Sequence, residues 1–162
     1  MRRRLTFSEI EEAARRRRAV HRGQESTRRL SDDYDLIGML GEEAFAWAFG
    51  LGASHLDLLP GGDGRVDFTL PLYTTVDVKT YEKPYNLLRE VGKAHAEVLV
   101  LAGFDRERKS VRLIGWEYDR VMQACPTRDF GYGVTNHYKA ASELRPMREL
   151  KGRLVNSVRV AS

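Results

Sequence analysis

The sequence predicts an α/β fold, with helices first, a mixed sheet in the middle and helical decoration after it. Two segments near the N-terminus carry helix caps and helical periodicity. Five short apolar runs between residues 54 and 116, separated by turn residues, have strand length. No repeat and no linker interrupts the 162 residues, a length over which one domain buries a sizeable core. Residues 1–34 read as a basic N-terminal helix and loop, and residues 35–162 as a single globular unit.

Ser8 to His21 (SEIEEAARRRRAVH) is predicted helical. Ser8 is an N-cap with Glu11 three residues on, as in a capping box, and the arginines fall toward the end that the helix dipole favours for cations. Residues 23–27 form a loop. The second helix runs from about Asp35 to Phe49, with an apolar stripe of Leu36, Leu40, Ala44, Trp47 and Ala48, and stops at Gly50 and Gly52. Strands are expected at about 54–59, 65–70, 75–82, 97–103 and 110–116. Leu87 to His95 reads as a short helix or a loop. Tyr118 to Ala124 reads as a helix ending before Pro126. A glycine-rich loop at 130–133, a short strand at Thr135–Tyr138 and a final helical turn or two at Glu143–Leu150 complete the chain. Trp116 is assigned to the core.

Composition narrows the function. The longest apolar run, Val98 to Ala102, is far shorter than the roughly 20 residues of a membrane span, so no membrane partner is expected. A charged helix, not an apolar h-region, follows the basic MRRRLTF, so no signal peptide is read. The single cysteine, Cys125, excludes an internal disulfide and a Cys-rich zinc site, and a reducing, cytoplasmic setting is expected. Charge is uneven: residues 1–30 carry ten Arg against four Glu. Arg holds its charge and pairs with phosphate bidentately, so this head points to a polyanionic partner such as DNA.

The stretch VDFTLPLYTTVDVKT, residues 66–80, carries the chemistry. A loop of Pro71, Leu72 and Tyr73 centres a hairpin on Leu72 and sets Asp67 opposite Asp77. Alternation then places Asp67, Thr69, Thr75, Asp77 and Lys79 on one face, and Val66, Phe68, Leu70, Val76 and Val78 on the core face. Like charges directly opposed across two strands are destabilising, so folding alone does not favour this pair. A divalent cation does. Two carboxylates with the backbone carbonyl of Val78 make a hard oxygen site suited to Mg²⁺, with Mn²⁺ as substitute, and Lys79 projects toward the same space. On the second helix, Glu42 or its neighbour Glu43 supplies a further acid, with Gly38 leaving room for an approaching group.

A helix Glu, then Asp67, then Asp77-Val78-Lys79 resembles the PD-(D/E)XK nuclease superfamily. Val66 stands where the motif's name has proline. The frame GMLGEEAFA, GGDGRVDF, VDVKT, VRLIGW and SELRPMREL is similar to a group of small phage-encoded nucleases of that superfamily and spans most of residues 35–150. The resemblance implies a restriction-endonuclease-like mixed central sheet flanked by helices, and a metal-dependent DNA endonuclease. It implies catalytic roles for Glu42, Asp67, Asp77 and Lys79. A minimal basic domain of this kind resembles archaeal-type Holliday junction resolvases, which act as homodimers on branched DNA. Single-strand or flap nucleases of phage recombination are the alternative, as is a non-catalytic nucleic-acid-binding protein on the same fold. DNA contacts are expected from Arg15, Arg16 and Arg18, with Arg2, Arg3 and Arg4 as an arm, and from Lys83, Arg89 and Lys93 along the approach to the site. Tyr81 and Tyr85 are rim aromatics or base-stacking platforms, and His95 is read as structural.

Overall fold

The computed structural model describes residues 3–21, 34–51, 66–131 and 133–153. The strand expected at 54–59, the loop at 23–27 and Arg2 of the expected arm lie outside the described residues. Two helices, α1 (Phe7–His21) and α2 (Tyr34–Ala48), precede the strands. A four-stranded mixed sheet has the order β1 (Phe68–Thr69), β2 (Thr75–Tyr81), β4 (Val98–Asp105), β5 (Ser110–Tyr118). Its β2–β4 pair is parallel and the other two pairs are antiparallel. A second, three-stranded antiparallel sheet has the order β3 (Asn86–Glu90), β7 (Thr135–Ala140), β6 (Thr127–Asp129). The short helix α3 (Asp119–Met122) follows β5, and residues 147–153 form α4. The expected α/β class with a mixed sheet and flanking helices is what the chain forms.

Local detail differs from expectation where contacts outweigh pattern. The cap of α1 is Thr6, not Ser8: Glu9 N–H donates to Thr6 Oγ1 (3.3 Å), and Thr6 N–H donates back to Glu9 Oε2 (2.8 Å). This is a capping box two residues earlier than predicted, and Arg3 Nη1 clamps the same Glu9 carboxylate at 3.0 Å. The hydrogen bond from Arg3, aided by those from Thr6, lowers the pKa of Glu9 to about 2.

In α2 burial extends round the whole circumference over residues 39–46, Glu42 and Glu43 included. One side packs on α1 through Ile37, Met39 and Leu40 against Ile10, Ala13 and Ala14. The other side places Phe45 and Ala46 on the sheet. A helix enclosed on both sides has no solvent face to make polar. Trp47, expected in the stripe, is instead 47% exposed, with the Arg4 guanidinium over its ring.

The predicted hairpin register is observed: Phe68 faces Val76 and Thr69 faces Thr75. Pro71–Tyr73 forms a 3₁₀ turn, with Leu72 and Tyr73 at φ 63° and 60°. Phe68, Leu70, Val76 and Val78 all enter the main core with Val98, Val100 and Trp116, as alternation required.

Leu87 to His95, read as helix or loop, begins with β3. Leu87 and Arg89 turn inward along it, and its partner β7 lies some 50 residues away in sequence. Non-local pairing of this kind overrides local propensity. Leu87 joins Leu99, Leu101 and Met122 in a second core between the two sheets.

Glu117 ties the layers together. Only 2% exposed, its carboxylate accepts Lys139 Nζ (2.6 Å) from β7 and Arg145 Nε (2.9 Å) from the segment before α4. Burial raises its pKa, but the bonds from Lys139, Arg145 and the Tyr118 N–H outweigh this and hold it below its ordinary 4.5. Glu117→Ala is expected to cost about 3 kcal/mol, because it strands two cations that the buried carboxylate had paired. A depressed carboxyl pKa stabilises the fold above the unfolded-state value, and that contribution is lost as pH falls through the folded value. The gap in melting temperature between wild type and Glu117→Ala should therefore be full at pH 7 and shrink below pH 4.5. A gap that does not change with pH would dismiss the ionised carboxylate as its source.

Candidate active site

The central strand β2 positions Asp77 and Lys79. In the parallel pair with β4, Asp77 sits beside Leu99 and Lys79 beside Leu101. Leu99 and Leu101 belong to the core between the sheets, so Asp77 and Lys79 leave β2 from that face. The opposite face, with Val76, Val78 and Thr80, is the one α2 lies on. The approach there is close: a Cβ on Gly41 would come within 1.9 Å of Thr80 Oγ1, so only glycine admits the helix.

The Asp77 side chain is 4% exposed and Lys79 26%, with Lys79 Nζ 2.6 Å from Asp77 Oδ2. That oxygen makes no aligned hydrogen bond to any side chain or backbone group. It is a buried anionic oxygen held by charge alone, and the ammonium is its opening toward solvent.

Asp67 lies one residue beyond the paired part of β1. Its N–H donates to Val76 O (2.8 Å), the carbonyl of the residue that faces Phe68, so the pairing slips as at a β-bulge. Asp67 is consequently not squarely opposite Asp77 as expected. Its Oδ2 instead accepts the Val78 N–H at 2.7 Å. The slip brings the carboxylate alongside the backbone between Asp77 and Lys79 and relieves the like-charge opposition.

Of the two helix acids, Glu42 is the one that meets a cation, and its partner is a residue not singled out from the sequence. Arg17 of α1 grips Glu42 bidentately, Nη1 to Oε1 and Nη2 to Oε2, both at 3.1 Å. Burial lowers the Arg17 pKa, and the Glu42 hydrogen bonds, with the charges of Glu42, Asp67 and Asp35, outweigh it and raise the pKa overall. Arg17 thus sits in a field made by three carboxylates. Glu43 points elsewhere and accepts the Leu5 N–H at 3.0 Å. One signal was available: of four consecutive arginines on a helix, one must face whatever the helix packs on. An added Cβ at Gly38 would meet nothing within 4 Å, in keeping with the room expected there.

In donor type, Asp67, Asp77 and the Val78 backbone suit a hard divalent cation. In arrangement, the acids are held apart: Asp67 by the Val78 N–H, Asp77 by Lys79, Glu42 by Arg17. Among the described residues no three acidic, His or Cys side chains converge on one point.

The expected DNA contacts divide. Arg15 and Arg16 are exposed, with Arg15 paired to Glu12 at 2.9 Å, and Arg18 is half-buried. Lys83 and Lys93 are exposed. Arg89 is not a surface cation: it is buried, closed on Asp119, and its Nη1 and Nη2 donate to Glu90 O and Lys93 O at 3.3 Å. The inward side of β3 gives it this structural role. His95 Nε2 meets Glu90 O at 3.0 Å, in line with its structural reading. Tyr81 and Tyr85 pack half-buried against the core between the sheets, and Trp116 is fully buried with Nε1–H donated to Pro146 O at 3.1 Å.

No protein-family model matches the chain, and no curated protein or solved structure matches it. Site chemistry and fold therefore carry the functional reading. No helix among the described residues is long and apolar enough to cross a membrane.

Proposed function

We propose that the chain is a metal-dependent DNA endonuclease with a restriction-endonuclease-like fold, of the PD-(D/E)XK kind. The observation that carries this is the buried Asp77 beside Lys79 on one face of β2, with Asp67 drawn to the Val78 backbone between them. A divalent cation bound there would polarise the scissile phosphate and acidify a water. Asp67 and Asp77 would hold it, with Glu42 joining once freed from Arg17. Lys79, more exposed than the Asp77 it pairs with, would orient the attacking water and neutralise charge growing on the phosphoryl oxygens. Water would add to phosphorus, the bond to one deoxyribose oxygen would break, and that oxygen would take a proton. The exposed Arg15 and Arg16 and the net charge of +4 favour a polyanionic substrate.

Within this reading the best-supported substrate is branched DNA cut by a homodimer, since a minimal basic domain recognises shape and charge and one site cuts one strand. The bidentate closure of Glu42 by Arg17 favours a second reading, a nucleic-acid-binding protein without catalysis. One experiment separates them. The purified protein is incubated with Mg²⁺ or EDTA on labelled four-way junction, flap, duplex and single strand of matched sequence. Symmetric nicks confined to the junction, and only with Mg²⁺, are expected for a resolvase. Cleavage of flaps or single strands would keep the nuclease and discard the resolvase. Binding without cutting in Mg²⁺ and in Mn²⁺ would leave the second reading.

A further inference from the structure

At the far end of β2, a cavity of about 290 Å³ is lined by Lys83, Tyr85, Asp105, Arg108, Ser110 and Arg112, with Gly103 at its base. Three cations face one carboxylate there. Asp105 is already engaged, its Oδ1 accepting the Arg108 N–H at 3.0 Å and its Oδ2 lying 3.8 Å from the Arg108 guanidinium. Lys83 and Arg112 have no carboxylate partner among the described residues. Arg112 is steadied by the Tyr85 ring, 5.7 Å from its centroid. That ring is seated in turn on Gly103, where a Cβ would come within 3.0 Å of it and 2.8 Å of Ile114. Cations without carboxylate partners, set around a concavity that Ser110 and Tyr85 also line, are a site for an oxyanion.

Its placement suggests which one. Tyr81 pairs with Gly103, and Gly103 with Arg112, so these residues share the sheet face from which Lys79 projects. Lys83 is four residues beyond Lys79, at most about 13 Å along an extended chain. A stacked nucleic-acid strand rises about 3.4 Å per nucleotide along its axis, so that separation spans at most about four nucleotides.

We propose that this cavity is a phosphate subsite that grips the substrate strand within about four nucleotides of the phosphate at Lys79. The assignment rests on the nuclease reading for the source of the phosphate, but not for the presence of the anion site. Neither Lys83 nor Arg112 belongs to the catalytic group, and both are exposed, so the double variant K83Q/R112Q keeps the fold.

The test measures the affinity of the full chain for labelled single-stranded and branched oligonucleotides across a salt series, for wild type and K83Q/R112Q. The variant should bind about tenfold more weakly at low salt. The slope of log affinity against log salt should fall by about 1.5, the loss of two phosphate contacts. An unchanged slope with DNA binding otherwise intact would overturn the subsite and leave the nuclease reading standing. Wild type that binds no nucleic acid would overturn the strand assignment together with that reading. Titration with inorganic phosphate, followed by amide chemical shifts, then decides the anion site alone. Shifts at Ser110 and Arg112 that K83Q/R112Q abolishes would identify a free-phosphate site, and no shift would overturn it.

Discussion

Asp77→Asn is expected to lower cleavage at least about a thousandfold while leaving DNA affinity within about twofold of wild type. The carboxylate is 4% exposed, so on the nuclease reading affinity would come from phosphate contacts elsewhere. What the substitution removes is a formal negative charge at a buried oxygen, the feature on which cation binding depends. Asparagine keeps the shape, so the fold should survive, and Lys79 at 26% exposure can turn its ammonium to water. Lys79→Ala should be equally inactive but also less stable, because it leaves the buried Asp77 charge without its cation. Rates on the preferred substrate, affinities in EDTA and melting curves distinguish the two variants. Wild-type cutting by either one would move the active site away from β2.

Arg17→Gln is the second large effect, a destabilisation that is full without metal and mostly offset with it. In EDTA the variant should lose about 3 kcal/mol, since Glu42, with its side chain 9% exposed, is left without the guanidinium that neutralises it. For a domain of this size that is a fall in melting temperature of roughly 6–12 °C. Saturating Mn²⁺ should restore much of it, because a cation that binds only the folded state at about a hundred times its Kd adds about 2.7 kcal/mol. Wild type should respond less to the metal, since Arg17 already holds the Glu42 oxygens at 3.1 Å. A loss that is identical in EDTA and in Mn²⁺ would make Glu42 a structural partner of Arg17 alone. It would also favour the non-catalytic reading.

The hairpin was legible because its determinants are local. A three-residue turn, a period of two and the apolar set Phe68, Leu70, Val76 and Val78 leave one register that buries the right face, and the chain adopts it. Asp77 and Lys79 follow from that register with no further information. The slip at Asp67 was not legible, because it depends on one residue meeting both the Val76 carbonyl, with its N–H, and the Val78 N–H, with its carboxylate. The burial of Arg89 was hidden for a related reason: β3 exists only because β7 pairs with it from far along the chain.

The amino-acid order alone specified an α/β chain, the strand carrying Asp77 and Lys79, and a basic first helix. Each is a statement about neighbours in sequence, where side-chain period and capping act. Tertiary structure alone decided which of four adjacent arginines turns inward, which of two adjacent glutamates it meets, and that the three cations around Tyr85 share a cavity. Those outcomes depend on how α1 packs on α2 and how β4, with β5 beyond it, lies beside the end of β2. Such packing is settled by burying apolar surface from distant segments, and charged side chains take whatever positions that burial leaves them.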